Sequence, residues 1–176
     1  MRVPPFLAAL CLVAPGPLAA QQRHDTAAPI NFDAGHIELQ DKANRAILSG
    51  RVAVKQAEMT LNAARVTVAY TGQVVDGSPQ VSRMDASGGV VVTRPDQAAR
   101  GQYAIYDLNS RVITMLGAVT LTQGANTVRG GRMTINLDTG RAVVDGSAVG
   151  GGAAGAGAVQ SSGGRVSGTF SVPKRN

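Results

Sequence analysis

Leu48-Ser49-Gly50-Arg51-Val52-Ala53-Val54 decides the fold. Leu48, Val52 and Val54 share one parity, and Gly50 holds the same parity between them. Alternation with a period of two marks a strand with one buried face. A residue without Cβ in that phase lets the run turn a corner and keep its facing. The same grammar returns at Gly88-Gly89-Val90-Val91-Val92 and at Gly117-Ala118-Val119-Thr120-Leu121, and Gly146 opens a degenerate fourth copy. The longer first interval contains an extra loop from Thr71 to Pro79. Downstream of each glycine a second alternating run follows, at Val66–Tyr70, Tyr103–Tyr106 and Met133–Leu137. A half copy over His36–Gly50 precedes them.

Working outward, the connections fit hairpins. Asp41-Lys42-Ala43-Asn44-Arg45, Asp107-Leu108-Asn109-Ser110-Arg111 and Asp138-Thr139-Gly140-Arg141 hold equivalent places, each opening on Asp and closing on Arg. Asp, Asn, Ser and Gly tolerate turn geometry or bond back to the backbone. No stretch keeps helical spacing, so the expectation is an all-β chain of repeated bent hairpins without a core helix. Its inward set is Ile37, Leu39, Leu48, Val52, Val54, Met59, Leu61, Val66, Val68, Val90, Val92, Ile113, Met115, Val119, Leu121, Met133, Ile135 and Leu137. Such a stack can pack shut or leave a groove for acyl chains, and periodicity alone does not separate the two.

Phe6–Val13 is an apolar run after Arg2, followed by Pro15, Pro17 and Ala19-Ala20. It reads as a secretory signal peptide over residues 1–20, too short to span a membrane. Leu10 before Cys11 argues against lipidation, and the single Cys excludes an intramolecular disulfide. Residues 21–28 read as a linker, 29–146 as the domain, and 147–176 as a Gly/Ala-rich flexible basic tail. Val166–Val172 alternates again and reads as a last weak strand.

The chain carries 17 basic and 11 acidic residues, a net charge of +6. Arg165, Lys174 and Arg175 supply half of that excess, so the charge belongs largely to the tail. Nucleic-acid binding needs clustered cations and stacking aromatics, and neither is present. Motifs that look catalytic have plainer readings. Asp138-Thr139-Gly140 matches an aspartic-protease trigram, yet Asp138 falls on the turn position that two other copies also fill with Asp. Gly150–Gly155 matches a dinucleotide fingerprint in letters, without a following helix to bind a pyrophosphate. His36 and Glu38 share an outward strand face and have no third ligand. The residues therefore call for no enzyme, no cofactor and no metal.

Residues 29–70, from Pro29-Ile30 through Leu48–Gln56 to Met59–Val68, resemble the start of the OstA-like domain of the LptA family of lipopolysaccharide transport proteins. Leu116–Gly124 and Val128–Met133 fit the same family, and the resemblance covers about residues 29–146. It implies a twisted β-jellyroll, a V-shaped pair of antiparallel sheets. It implies a periplasmic bridge whose groove shields the acyl chains of lipopolysaccharide (lipid A), with the inward set as its lining. It further implies edge-strand pairing with an inner-membrane LptC-like subunit and an outer-membrane LptD-like translocon, and a head-to-tail homo-oligomer. Two alternatives stay open: an LptC-like subunit or translocon amino-terminal domain, and a hydrolase using Asp138.

Overall fold

The computed structural model describes residues 24–72, 79–146 and 165–170. The expected leader and most of the Gly/Ala-rich tail lie outside the described residues. The strands are β1 (Ile30–Asp33), β2 (His36–Gln40), β3 (Arg45–Gln56), β4 (Met59–Thr71), β5 (Gln80–Arg94), β6 (Gln97–Asp107), β7 (Val112–Gln123), β8 (Asn126–Asn136), β9 (Ala142–Asp145) and β10 (Ser167–Thr169). One short 3-10 turn, Asp41–Ala43, joins β2 to β3. All pairings are antiparallel, and β3 to β8 run in sequence order as a meander.

Each long strand carries an irregularity near its middle. The register shifts between Ser49 and Val52, Asn62 and Arg65, Ser87 and Val90, Arg100 and Tyr103, and Leu116 and Val119. These bulges line up across the sheet and form a crease. They divide it into two eight-stranded layers. The first contains β2, residues 45–49, 65–71, 80–87, 102–107, 112–116 and 132–136, then β9. The second contains β1, residues 52–56, 59–63, 90–94, 97–101, 119–123 and 126–130, then β10.

The crease folds the layers face to face. Gln56, at the free end of the second layer, accepts a hydrogen bond from the Tyr106 hydroxyl at 2.8 Å. Tyr106 pairs through Met84 and Val68 to Ala46, ten residues back along β3. In a flat sheet those ten residues would hold the two side chains about 33 Å apart along the strand. Only a doubled sheet brings them together. The apolar residues of both layers accordingly form one core, from Leu48, Val66 and Met115 in the first to Val54, Leu61 and Val92 in the second. Each such aliphatic side chain contributes about 1.5–3 kcal/mol by leaving water.

At the crease, Gly88 has φ +85°, and a Cβ there would lie 2.6 Å from the Ala64 Cβ. Both the backbone and the close approach require glycine at this corner. The free ends close with tight turns: Ala57-Glu58, Pro95-Asp96 and Gly124-Ala125 in the second layer. Longer turns at Leu108–Arg111 and Leu137–Arg141 serve the first. Ser167–Thr169 of the tail pairs with Thr127–Arg129, so β10 forms the far edge of the second layer.

Candidate functional site: the open side of the folded sheet

Of the inward residues named from the sequence, Leu48, Val52, Val54, Met59, Leu61, Val66, Val68, Val90, Val92, Ile113, Met115, Val119, Met133, Ile135 and Leu137 are buried together between the layers. Leu121 packs partly buried against them. They fill the middle of the sandwich with one another. Ile37 and Leu39 stand apart: they pair with Leu48 and Ala46 and share their inner face, yet are 44% and 59% exposed. Phe32 pairs with Val54 and is 48% exposed. Among the described residues no further strand covers the inner face at the β1–β2 end.

Space opens along the side opposite the crease, where the free ends of the layers face each other. A cavity of about 1070 Å³ lies there. Glu58, Arg94, Asp96 and Gln123 from the second-layer turns border it on one side, Leu137–Gly140 on the other. Leu121, Val128, Ala142 and Phe170 supply apolar walls. This volume lies just above the range of about 300–1,000 Å³ usual for small-ligand sites.

Beside the cavity the open side is closed by the chain itself. Residues 24–28 form a turn in which Asp25 Oδ1 accepts from the Ala27 amide at 3.0 Å. The turn rests on Gln56, whose side chain is 2% exposed. The Gln56 Nε2 donates to the carbonyls of Thr26 (3.0 Å) and Ala28 (3.1 Å). Its Oε1 accepts from Tyr106 and, at 3.4 Å, from His24 Nε2. The amide thus makes all four hydrogen bonds it can make. From the same turn, Thr26 donates to Asp138 of the first layer at 3.5 Å. The turn therefore touches the free ends of both layers.

Burial pushes the Tyr106 hydroxyl up to about 12, so it stays protonated and donates at neutral pH. Burial also holds His24 below its ordinary pKa, and Arg94 adds to the effect. The Gln56 hydrogen bond and the carboxylates of Asp25 and Glu58 oppose it. An undocked His24 regains its ordinary value near 6.5 and binds protons first as pH falls. Docking is therefore fully supported above about pH 6.5 and weakens as pH drops below it. Amide exchange of residues 26–28, corrected for intrinsic rates, should accelerate between pH 7.5 and pH 5. The strands β4–β7 should show no matching change.

The three equivalent aspartates serve turns. Asp41 Oδ1 accepts from the Tyr70 hydroxyl at 3.2 Å. Asp107 Oδ1 accepts from the Ser110 amide at 3.0 Å, which holds its carboxyl below the usual range. Asp138 pairs with Arg111 at 3.3 Å, both half-exposed, a contact worth about 0–1 kcal/mol. Beside it, Asn136 Oδ1 accepts from the amide and hydroxyl of Thr139. His36 and Glu38 lie on the outer face, and Glu38 accepts from Gln40 at 2.6 Å. Among the described residues no three His, Cys, Asp or Glu come together to hold a metal.

The inward set reads from parity, but His24, Gln56 and Tyr106 do not appear in it. Gln56 carried a signal: it continues the inward phase of Val52 and Val54 as the one polar member.

A family model described as LptA/(LptD N-terminal domain) LPS transport protein matches residues 31–141. An uncharacterized protein of Rhizobium meliloti (strain 1021) is 33% identical over 121 residues, covering 66% of this chain and 65% of that relative. The chain thus spans just under two thirds of that relative's length. Among solved structures the fold matches Pseudomonas aeruginosa LptH, titled the LptA homologous periplasmic component of the conserved lipopolysaccharide transport device. The TM-score is 0.68 at 19% identity, covering 84% of this chain and 99% of that one. At that identity the likeness speaks for the fold.

Proposed function

Because the chain belongs to the LptA/(LptD N-terminal domain) family of LPS transport proteins, we propose that it carries lipopolysaccharide across the periplasm, with the acyl chains held between its two layers. The observation that supports this most is the doubled sheet itself. Strand pairing joins its two apolar faces only along the crease; their free ends are bridged by the Gln56–Tyr106 hydrogen bond and the turn at 24–28, and a cavity of about 1070 Å³ opens between them. A layer pair hinged on one side takes in a chain by parting at the other, with no strand pairing broken.

The energetics favour such a shelter. Each CH₂ kept from water contributes about 0.8 kcal/mol, so a dozen carbons amount to roughly 10 kcal/mol. A carrier must supply that shielding throughout the crossing. Chains enter past Leu121, Val128 and Phe170 and extend along the inner faces of Val54, Met59 and Ile135. The phosphorylated sugars remain at the polar rim, where Arg94 stands among Glu58, Asp96 and Asp138. Carriage of this kind makes and breaks no covalent bond.

The short outer strands are the docking edges in this reading. Among the described residues β1 and β2 are the sheet's edges at one end, next to exposed Phe32, Ile37 and Leu39. β9 and β10 are its edges at the other. Open edges accept a further strand. An LptC-like subunit, an LptD-like translocon or a second copy would extend the stack there.

The test is a titration with two ligands. Lipopolysaccharide should bind and raise the melting temperature. The same saccharide stripped of all acyl chains should do neither at equal concentration. Equal binding of both would move recognition to the sugar-phosphate and remove the acyl groove.

A further inference from the structure

The turn at residues 24–28 sits on the same side of the sandwich from which, on the carrier reading, an acyl chain enters. Its contacts differ in kind from those of the core. They are hydrogen bonds from the buried Gln56 amide to two backbone carbonyls, a bond from His24 to Gln56, and a 3.5 Å bond from Thr26 to Asp138. The turn places no large aliphatic side chain between the layers; its own residues are His24, Asp25, Thr26, Ala27 and Ala28. A permanent part of the core would be held by apolar packing. This segment is held by polar latches that water can replace once the segment leaves.

Gln56 and Tyr106 make sense as such a latch. Both occupy inward positions that the rest of the strand pattern fills with apolar residues. A buried amide there is costly unless all its bonds are made. The turn completes them. With the turn away, Gln56 and Tyr106 retain each other, and water can take the bonds that the turn gave up. The latch therefore has two satisfied states, docked and hydrated, which an apolar plug would lack.

We propose that residues 24–28 are an internal gate, latched by Gln56 and Tyr106, that covers part of the entrance between the layers and must swing out for an acyl chain to enter. The identity of the cargo rests on the carrier reading; the gate itself does not. Opening uncovers the inner ends of β3 and β6 and joins them to the existing cavity. Closing keeps the apolar interior from unselective ligands while no cargo is present.

The test uses the full chain with Cys11→Ser, one variant that opens the gate and one that locks it. Gln56→Leu/Tyr106→Phe removes both polar ends together, so no orphaned group is left in the core. It should raise corrected amide exchange at 26–28 at least tenfold while β4–β7 stay protected. Thr26→Cys/Asp138→Cys, bridged with a short bifunctional thiol reagent, locks the turn to the first layer. Two probes are added to each form: the apolar dye N-phenylnaphthylamine and lipopolysaccharide micelles. The opened variant should capture both several-fold faster than the parent, and the bridged form should capture at least tenfold less than its unbridged control. Equal capture in bridged and unbridged forms overturns the gate and leaves the carrier reading intact. Gate-dependent capture of the dye with no capture of lipopolysaccharide in any form supports the gate and overturns the cargo. Unchanged exchange at 26–28 in the opened variant overturns the latch.

Discussion

Gly88→Ala should cost about 2–5 kcal/mol of folding stability, while Gly89→Ala next to it should cost only about 1–2 kcal/mol. Both glycines have positive φ, +85° and +74°, so both substitutions carry backbone strain. They differ in space. A Cβ on Gly88 would stand 2.6 Å from the Ala64 Cβ, whereas nothing lies within 4 Å of one on Gly89. The difference between the two variants is therefore the cost of forcing β4 and β5 apart at the crease. Denaturant titration of both chains measures it. Equal losses at the two positions would show that the crease tolerates widening and that the doubled sheet does not depend on this contact.

Leu121→Asp should lower capture of lipopolysaccharide by tenfold or more and leave the fold standing. Leu121 is only partly buried and forms part of the cavity wall. A carboxylate there can stay hydrated, so the protein is spared the burial of an unpaired charge. An entering acyl chain is not spared, because it must then displace that hydration. The added negative charge also sits near the rim where phosphates would lie. Leu121→Met, which conserves volume and apolarity, should bind as the parent does. A loss of cooperative melting in Leu121→Asp would place this side chain in the closed core instead of the entrance.

The strand runs, their facing and the corner glycines were legible because each rests on local chemistry. A period of two fixes which side of a strand is apolar. The shared φ range of Gly50, Gly88 and Gly117 follows from a corner that few other residues turn. The corners of β4, β6 and β8 were harder to see. They fall at Ala63-Ala64, Gly101 and Gly130-Gly131, where small size alone admits the bend and no positive φ is needed. Arg51 and Ala118 adopt positive φ beside a corner glycine, a conformation their sequence does not announce.

The site was legible in part. Parity assigned the inward residues, but not which of them meet each other and which meet space. That distinction depends on how the layers close, and closure is a long-range property. Leu48 and Ile37 have the same parity in neighbouring strands; one is fully buried and the other nearly half exposed only because β2 is an edge. The latch was hidden for a similar reason. Gln56 and Tyr106 are 50 residues apart, and nothing local to either indicates the other. His24 and Ala28 read as linker because short polar and small residues show no period, and their role comes from a docking partner far along the chain.

The most direct measurement is photo-crosslinking with p-benzoylphenylalanine placed singly at Leu121, Leu137, Thr60 and Thr93, followed by exposure to lipopolysaccharide and irradiation. Leu121 and Leu137 face the cavity between the layers, whereas Thr60 and Thr93 pair with each other on the outer face of the second layer. The account predicts adducts at the first two positions and none above background at the others. Adducts at Thr60 and Thr93, with Leu121 and Leu137 silent, would contradict it and place the lipid outside the folded sheet.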